Sequence, residues 1–118
     1  MTAEASISKI VRALSPELLE PRWRRRVKTG DHPTTGHCYI AAEALFHFWG
    51  KERGFKPKVI SFGRGITHWY LEHPDGRIAD PSAAQFDGEP IPYDRGRGCS
   101  FLTVRPSRRA RIVLARLR

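Results

Sequence analysis

Apolar residues recur at helical spacing in three stretches of the chain. Ala5–Leu14 and Pro106–Arg118 each place four apolar side chains on one side, which predicts two amphipathic helices. Between them, Cys38–Trp49 contains only two polar residues, so we expect a helix that is apolar nearly all round and runs through the core, ending at Gly50 or Gly54. The apolar positions of the two outer stretches are Ile7, Ile10, Val11 and Leu14, and Ala110, Val113, Leu114 and Leu117.

A further short helix is predicted directly after the first one. Ser15 is a suitable N-cap and Pro16 fits the first turn. The basic run 24–28 suits a helix C-terminus, although Pro21 limits the segment to a short or kinked piece. Thr29–Gly36, rich in Gly and small polar residues, is predicted to be a loop.

The second half of the chain changes to the alternation of strands. Lys58–Phe62, Ile66–His73 and Arg77–Asp80 are predicted strands, the last two joined by Pro74–Gly76. Pro, Asp and Gly suit a type I turn closed by a left-handed glycine, which gives a three-residue hairpin loop. Ala84–Gly98 is rich in Gly and Pro, has no periodicity, and is predicted to be a loop.

These elements predict an α+β fold in one domain, residues 1–118. A central cysteine-bearing helix packs on a small antiparallel sheet, with helices flanking it at both ends. A chain of 118 residues, 40% of them hydrophobic, can bury one core and has no room for a second. No apolar stretch approaches the length that crosses a bilayer, and Glu4 lies in an N-terminus unlike a secretory signal. We therefore expect a cytoplasmic protein without a membrane partner.

Two cysteines and a strong positive charge narrow the chemistry. Cys38 and Cys99 are expected to be free thiols in a reducing compartment. We predict no metal and no cofactor, since the histidines do not supply a tight ligand set. The formal net charge is +9, and 16 of the 21 basic residues are Arg. This charge indicates attraction to an acidic partner, or only an arginine-rich solvated surface. Nucleic acid is not the favoured partner, because no nucleic-acid-binding module accompanies the charge.

Cys38 begins the predicted core helix and is the leading candidate nucleophile. The positive end of the helix dipole and the unpaired N–H groups of the first turn favour a thiolate over a thiol. The same N–H groups can receive a developing oxyanion. The alternative is an ordinary buried cysteine.

The predicted hairpin supplies a base. A three-residue loop pairs Glu72 with Ile78 and Tyr70 with Asp80, so His68, Tyr70 and Asp80 share one face of the ribbon. Asp80 would then orient the imidazole of His68, which activates a thiol. Without Cys38, the two residues would read as an exposed strand histidine and a turn aspartate.

Taken in order, these motifs resemble the core of transglutaminase-like cysteine enzymes, within the wider papain-like group. The resemblance covers roughly residues 35–84 and rests on Gly36-x-Cys38 opening a helix, Thr67-His68-Trp69 on one strand, and Asp80-Pro81-Ser82 after a hairpin. The flanking regions are more similar to small proteins of bacteriophages and their hosts. The chain is shorter than the usual members, whose sheet is larger.

The resemblance implies that Cys38, His68 and Asp80 are catalytic. The thiolate would attack an amide or another acyl group of a peptide or protein substrate. If that substrate is acidic, the arginines of the chain would favour its binding. A thioester would form, and water would resolve it in a protease, isopeptidase or deamidase, or an amine in an acyltransferase.

Further residues are candidates for contact with a substrate, each with a simpler alternative. Tyr70 is equally explained as a cross-strand partner of Asp80, and His37 as a loop histidine. Gln85 is a candidate oxyanion donor whose position nothing in the sequence determines. Arg97 recognises an acidic substrate or is merely solvated. Cys99 ranks below Cys38 because it begins no helix.

Two functions follow from these observations. The first is a thiol-dependent hydrolase or acyltransferase. The second is a basic binding module without enzymatic activity, of the kind found among phage accessory proteins, that docks on an acidic protein or a nucleic acid.

Overall fold

The computed structural model describes residues 1–18, 37–63, 66–86 and 88–118. Within these ranges lie three α-helices and four β-strands. The helices are α1 (Ala3–Ala13), α2 (Cys38–Leu45) and α3 (Arg108–Arg116); the strands are β1 (Lys56–Gly63), β2 (Ile66–Glu72), β3 (Ile78–Ala79) and β4 (Arg97–Gly98). The strands form one antiparallel sheet in the order β3-β2-β1-β4. The predicted α+β fold, with a central cysteine-bearing helix and flanking helices, is confirmed.

Helix α2 occupies the core because almost every side of it is apolar. Six consecutive residues from Ile40 to Leu45 are buried. The helix widens into a π-helical turn at Phe46–Gly50 and then a 3₁₀ turn that ends at Gly54. Gly54 has φ +81°, the left-handed conformation that glycine adopts without strain. The predicted end at Gly54 is confirmed, although the regular α-helix is shorter than predicted.

The two flanking helices begin at side-chain caps. Thr2 Oγ1 accepts the N–H of Ala5 at 3.1 Å to start α1, and Ser107 Oγ accepts the N–H of Ala110 at 3.3 Å to start α3. The buried carboxylate of Glu43 accepts from both the N–H and the hydroxyl of Ser107, at 2.9 and 2.6 Å. This pair of bonds attaches α3 to the core helix.

The hairpin between β2 and β3 has the predicted register. Glu72 pairs with Ile78, and the N–H of His73 donates to the carbonyl of Arg77 at 2.9 Å. Gly76 closes the loop with φ +96°. Strand β3 is shorter than the predicted Arg77–Asp80. The register places every side chain of β3 on the face that the turn chemistry predicted.

The prediction of a structureless loop over Ala84–Gly98 is wrong in part. Ala83–Phe86 and Tyr93–Arg95 are 3₁₀ turns, and Arg97–Gly98 forms β4 by pairing with Lys58 and Val59 of β1. A two-residue strand has no sequence period, because distant pairing alone creates it.

The prediction of a short helix after α1 can be checked only at its first residues. Pro16–Leu18 forms a single 3₁₀ turn where the second helix was predicted to begin. The rest of that helix and the predicted loop Thr29–Gly36 lie outside the described residues. In the part of the chain that the structure describes, no helix has the length and apolar character to cross a membrane.

Candidate active site

Cys38 is the first residue of α2, and its half-buried thiol lies against strand β2. The Sγ atom is 3.6 Å from the carbonyl oxygen of Thr67. The first hydrogen bond of the helix runs from the N–H of Ala41 to the carbonyl of His37 at 2.7 Å. The earlier N–H groups of this turn therefore have no partner within the helix. The thiol stands at the positive end of the helix, one residue along β2 from His68.

His68 and Asp80 form a buried pair across the hairpin. The His68 Nε2 lies 2.6 Å from Asp80 Oδ2, and the two side chains are 0% and 3% exposed. Asp80 follows β3 directly, so the hairpin register brings its carboxylate to the imidazole on β2. Cys38, His68 and Asp80, called the trio below, thus come together from three separate elements.

Two further residues fix the carboxylate of Asp80. The hydroxyl of Tyr93 donates to Oδ2 at 2.7 Å, and the N–H of Ser82 donates to Oδ1 at 3.1 Å. The hydroxyl of Tyr70 in turn donates to the carbonyl oxygen of Tyr93 at 3.2 Å. Both oxygens of the carboxylate are occupied, which restricts it to one orientation toward His68.

The surroundings favour a protonated His68. Burial lowers the pKa of His68, but hydrogen bonds with Asp80 and Cys38, together with their negative charges, outweigh it and raise the pKa to about 9. Because Nε2 is bonded to Asp80, only Nδ1, which the amide of Gln85 also approaches at 3.4 Å, remains to interact with Cys38. At neutral pH the arrangement therefore favours an imidazolium at His68, with its positive charge close to Cys38.

Gln85 lies next to the trio on the 3₁₀ turn that follows Asp80. Its Nε2 is 3.4 Å from His68 Nδ1, and its buried Oε1 has no hydrogen-bond partner among the described residues. An amide N–H at this position can donate to an oxygen that becomes negative at the carbon attacked by the thiol. The sequence did not determine this position, since no periodic element connects Gln85 to the strands.

The other predicted contact residues are either fully buried, as Tyr70 and His37 are, or on the opposite face of the sheet, as Arg97 is. Tyr70 shares the face of His68, with the two rings stacked at 6.1 Å between centroids, but it is fully buried. Burial and the nearby acidic charges raise its pKa to about 12. His37 is also fully buried, with Nε2 3.0 Å from the carbonyl oxygen of Ser15. Arg97 is exposed on β4 and pairs with Val59, so it lies on the sheet face opposite His68.

Trp69 packs on the opposite side of β2 from His68, because successive side chains of a strand point to opposite faces. Its ring centroid lies 4.9 Å from that of Tyr39 and 5.6 Å from that of Phe101. These rings join the helix, the sheet and the segment after β4. The aromatic residue after the histidine therefore supports the position of α2.

Cys99 is separate from the trio. It lines a depression of about 530 Å³ together with aromatic and lysine side chains, including Phe46, Phe55, Lys51 and Lys56. Its Sγ lies 3.7 Å from the carbonyl of Ser100. No member of the trio lines this depression, so its volume gives no information on the Cys38 site.

Sequence reasoning gave Tyr93 no role, and it named Ser82 only as part of the Asp80-Pro81-Ser82 motif, without its bond to Asp80. Ser82 had a detectable signal, because an Asp two residues before a polar residue at a Pro-containing turn often accepts its N–H. Tyr93 had none, since it lies in a Gly- and Pro-rich segment and reaches Asp80 only through tertiary packing.

The described residues contain no group of three or more His, Cys, Asp or Glu side chains placed to hold a metal ion. No protein-family model matches the chain, and no curated protein or solved structure is significantly similar to it. The functional interpretation therefore rests on the geometry of the trio and its surroundings.

Proposed function

We propose that the protein is a thiol-dependent hydrolase or acyltransferase that uses Cys38 as nucleophile, His68 as base and acid, and Asp80 to orient the imidazole. The observation that carries this proposal is the buried His68–Asp80 pair at 2.6 Å beside a thiol at a helix start. We further propose that the chain is a compact relative of the transglutaminase-like enzymes. The free thiols of Cys38 and Cys99 favour a reducing compartment, the cytoplasm.

The proposed reaction begins with the thiolate of Cys38 attacking the carbonyl carbon of an amide. A carbon–sulfur bond forms and the oxygen becomes negative, where the N–H of Gln85 and those of the first turn of α2 are suited to donate. The carbon–nitrogen bond then breaks as His68 gives its proton to the leaving amine. A thioester on Cys38 remains.

The second half of the cycle releases the acyl group. Water or an amine attacks the thioester, and His68 takes the proton of that nucleophile. The carbon–sulfur bond breaks and the thiolate is restored beside the imidazolium. Hydrolysis and transfer differ only in the attacking nucleophile, so the same three residues serve both.

The test uses p-nitrophenyl acetate, an activated acyl donor, with Cys99 replaced by Ser. We expect a burst of nitrophenolate and an acetyl group on Cys38 that hydroxylamine removes, detected by mass spectrometry of the digested protein. Cys38→Ala should abolish the acetyl adduct, and His68→Ala should slow its formation by about two orders of magnitude or more. An adduct that forms equally fast in Cys38→Ala would refute the proposal.

A matched control is His73→Ala. His73 follows the same strand and also approaches a carboxylate, at 3.0 Å from Asp75, but both are partly exposed at the far end of the hairpin. This variant should acetylate at the wild-type rate. A loss equal to that of His68→Ala would indicate damage to the hairpin rather than loss of a catalytic group.

The alternative is a basic binding surface, which the arginines of α3 favour. Arg108, Arg109 and Arg111 are exposed on this helix, whereas Arg116 bonds to Glu17 at 2.8 Å and to the carbonyl of Ala13. Binding to an acidic polypeptide or a nucleic acid should weaken steeply with salt and be reduced by charge reversal on the three exposed arginines. Binding that is absent or insensitive to salt would count against this function.

A further inference from the structure

Three apolar side chains border the trio, and two of them are open to solvent. The ring of Phe86 packs edge-on against His68 with 4.8 Å between centroids, and Phe62 lies 6.1 Å from Phe86. Phe62 is 41% exposed and Ile66 is 52% exposed. Phe62, Ile66 and Phe86 are called the apolar patch below.

The register of the sheet places the patch on the face of His68. Ile60 pairs with His68, so their side chains share a face, and Phe62 and Ile66 each lie two positions away along their strands. The register shift near the end of β1 does not separate them, because the contact of Phe62 with Phe86 leads back to His68.

The patch also adjoins the thiol. Thr67, the residue between Ile66 and His68, carries the carbonyl oxygen that lies 3.6 Å from Cys38 Sγ. The apolar side chains of an antiparallel sheet ordinarily lie on a covered face, whereas Phe62 and Ile66 extend the buried face of His68 into solvent. Apolar groups that are left in water beside a reactive centre are suited to bind an apolar part of a substrate.

We propose that the apolar patch is a substrate subsite that binds a bulky aliphatic or aromatic group next to the acyl carbon attacked by Cys38. This inference rests on the proposed function of the trio. The substrate class is accordingly an acyl donor with a large apolar substituent near the reacting carbonyl, and small or charged substituents react more slowly.

The test compares two alkylating reagents with the same reactive group, iodoacetamide and N-benzyl iodoacetamide, on the full chain with Cys99 replaced by Ser. The ratio of the two rate constants for Cys38, divided by the same ratio for glutathione, measures binding of the benzyl group. We expect a normalised ratio of about ten, a partial share of what complete burial of a phenyl ring provides.

Variants of the patch should lower this ratio selectively. Phe62→Ser and Ile66→Ser should each bring it to about one, because the rate with N-benzyl iodoacetamide falls by more than the rate with iodoacetamide. Ile112→Ser is the matched control, because Ile112 is 36% exposed on α3, and it should keep the wild-type ratio. Thermal unfolding of each variant establishes that the fold is retained.

The outcomes separate the subsite from the proposed function. A normalised ratio of about one in the wild type, with iodoacetamide reactivity that still depends on His68, overturns the subsite and leaves the trio intact. A high ratio that Phe62→Ser abolishes, with reactivity that depends on His68, supports the subsite; the same ratio with reactivity independent of His68 shows that the patch binds the benzyl group but overturns the catalytic proposal on which the subsite rests. A high ratio that survives in both patch variants places the benzyl group elsewhere and overturns the subsite.

Discussion

The raised pKa of His68 predicts that the folded protein loses stability as the pH rises. A group whose pKa is higher in the folded state than in the unfolded state binds its proton more tightly when folded. Its stabilising contribution is complete below the unfolded value of 6.5 and disappears as the pH rises through about 9. His68 should therefore stabilise the fold at about pH 6 and contribute little above about pH 9.5.

The size of the effect follows from the same two values. The interval from 6.5 to about 9, at about 1.4 kcal/mol for each pH unit, corresponds to about 3 kcal/mol. Complete burial of the side chain leaves little screening by water. Part of the rise in the pKa of His68 comes from Cys38, so Cys38→Ala should reduce the loss of stability with rising pH. The loss of stability that remains in this variant measures the interaction of His68 with Asp80.

The assay is urea unfolding at several pH values between about 6 and 9.5, under reducing conditions, for the wild type and His68→Gln. The difference between the two proteins removes the effect of the net charge. The positive net charge falls as the pH rises, and the weaker repulsion would by itself stabilise the fold. We expect the free energy of unfolding of the wild type to approach that of the variant as the pH rises. Two parallel curves would refute the interpretation, because His68 would then release no proton in this range.

Three substitutions, one of them with a matched control, test the supporting contacts by their free energies of unfolding. Tyr93→Phe removes a short bond to a buried carboxylate and should cost about 1.5 to 3 kcal/mol, and an unchanged stability would show that this bond is not formed. A Cβ at Gly96 would overlap the hydroxyl oxygen of Tyr70, so Gly96→Ala should destabilise the fold by more than about 1 kcal/mol. Gly98→Ala is the control and should be neutral, because no atom lies within reach of a Cβ there. Glu43→Ala removes both bonds that hold the start of α3 and should cost about 2 to 4 kcal/mol; equal melting temperatures for variant and wild type would contradict this role.

The parts of the fold that could be predicted are those with local causes. The helices follow from apolar spacing and from Ser and Thr caps, and the β2–β3 register follows from Pro74-Asp75-Gly76, whose glycine takes the left-handed conformation. Strand β4 could not be predicted, because its two residues depend on the edge of β1. The early end of the regular α-helix at Leu45 likewise has no signal in the apolar pattern.

In the candidate site too, the contacts with local causes could be predicted and those that depend on tertiary packing could not. The turn chemistry was sufficient to place His68 and Asp80 on one face, because register follows from loop length. The contact of Gln85 with His68 and that of Tyr93 with Asp80 depend on how a segment without periodicity folds back over the sheet. The sequence left His37 as either a substrate contact or a loop histidine, and its ring is fully buried in the structure.

The most direct test of the account is the rate at which iodoacetamide alkylates Cys38 at about pH 6.5, in the Cys99→Ser background. The account predicts that His68→Ala lowers this rate by about tenfold or more, because the imidazolium that stabilises the thiolate is lost. His73→Ala should react like the parent protein. Equal rates in all three proteins would contradict the central claim and leave Cys38 as a structural cysteine at the start of a core helix.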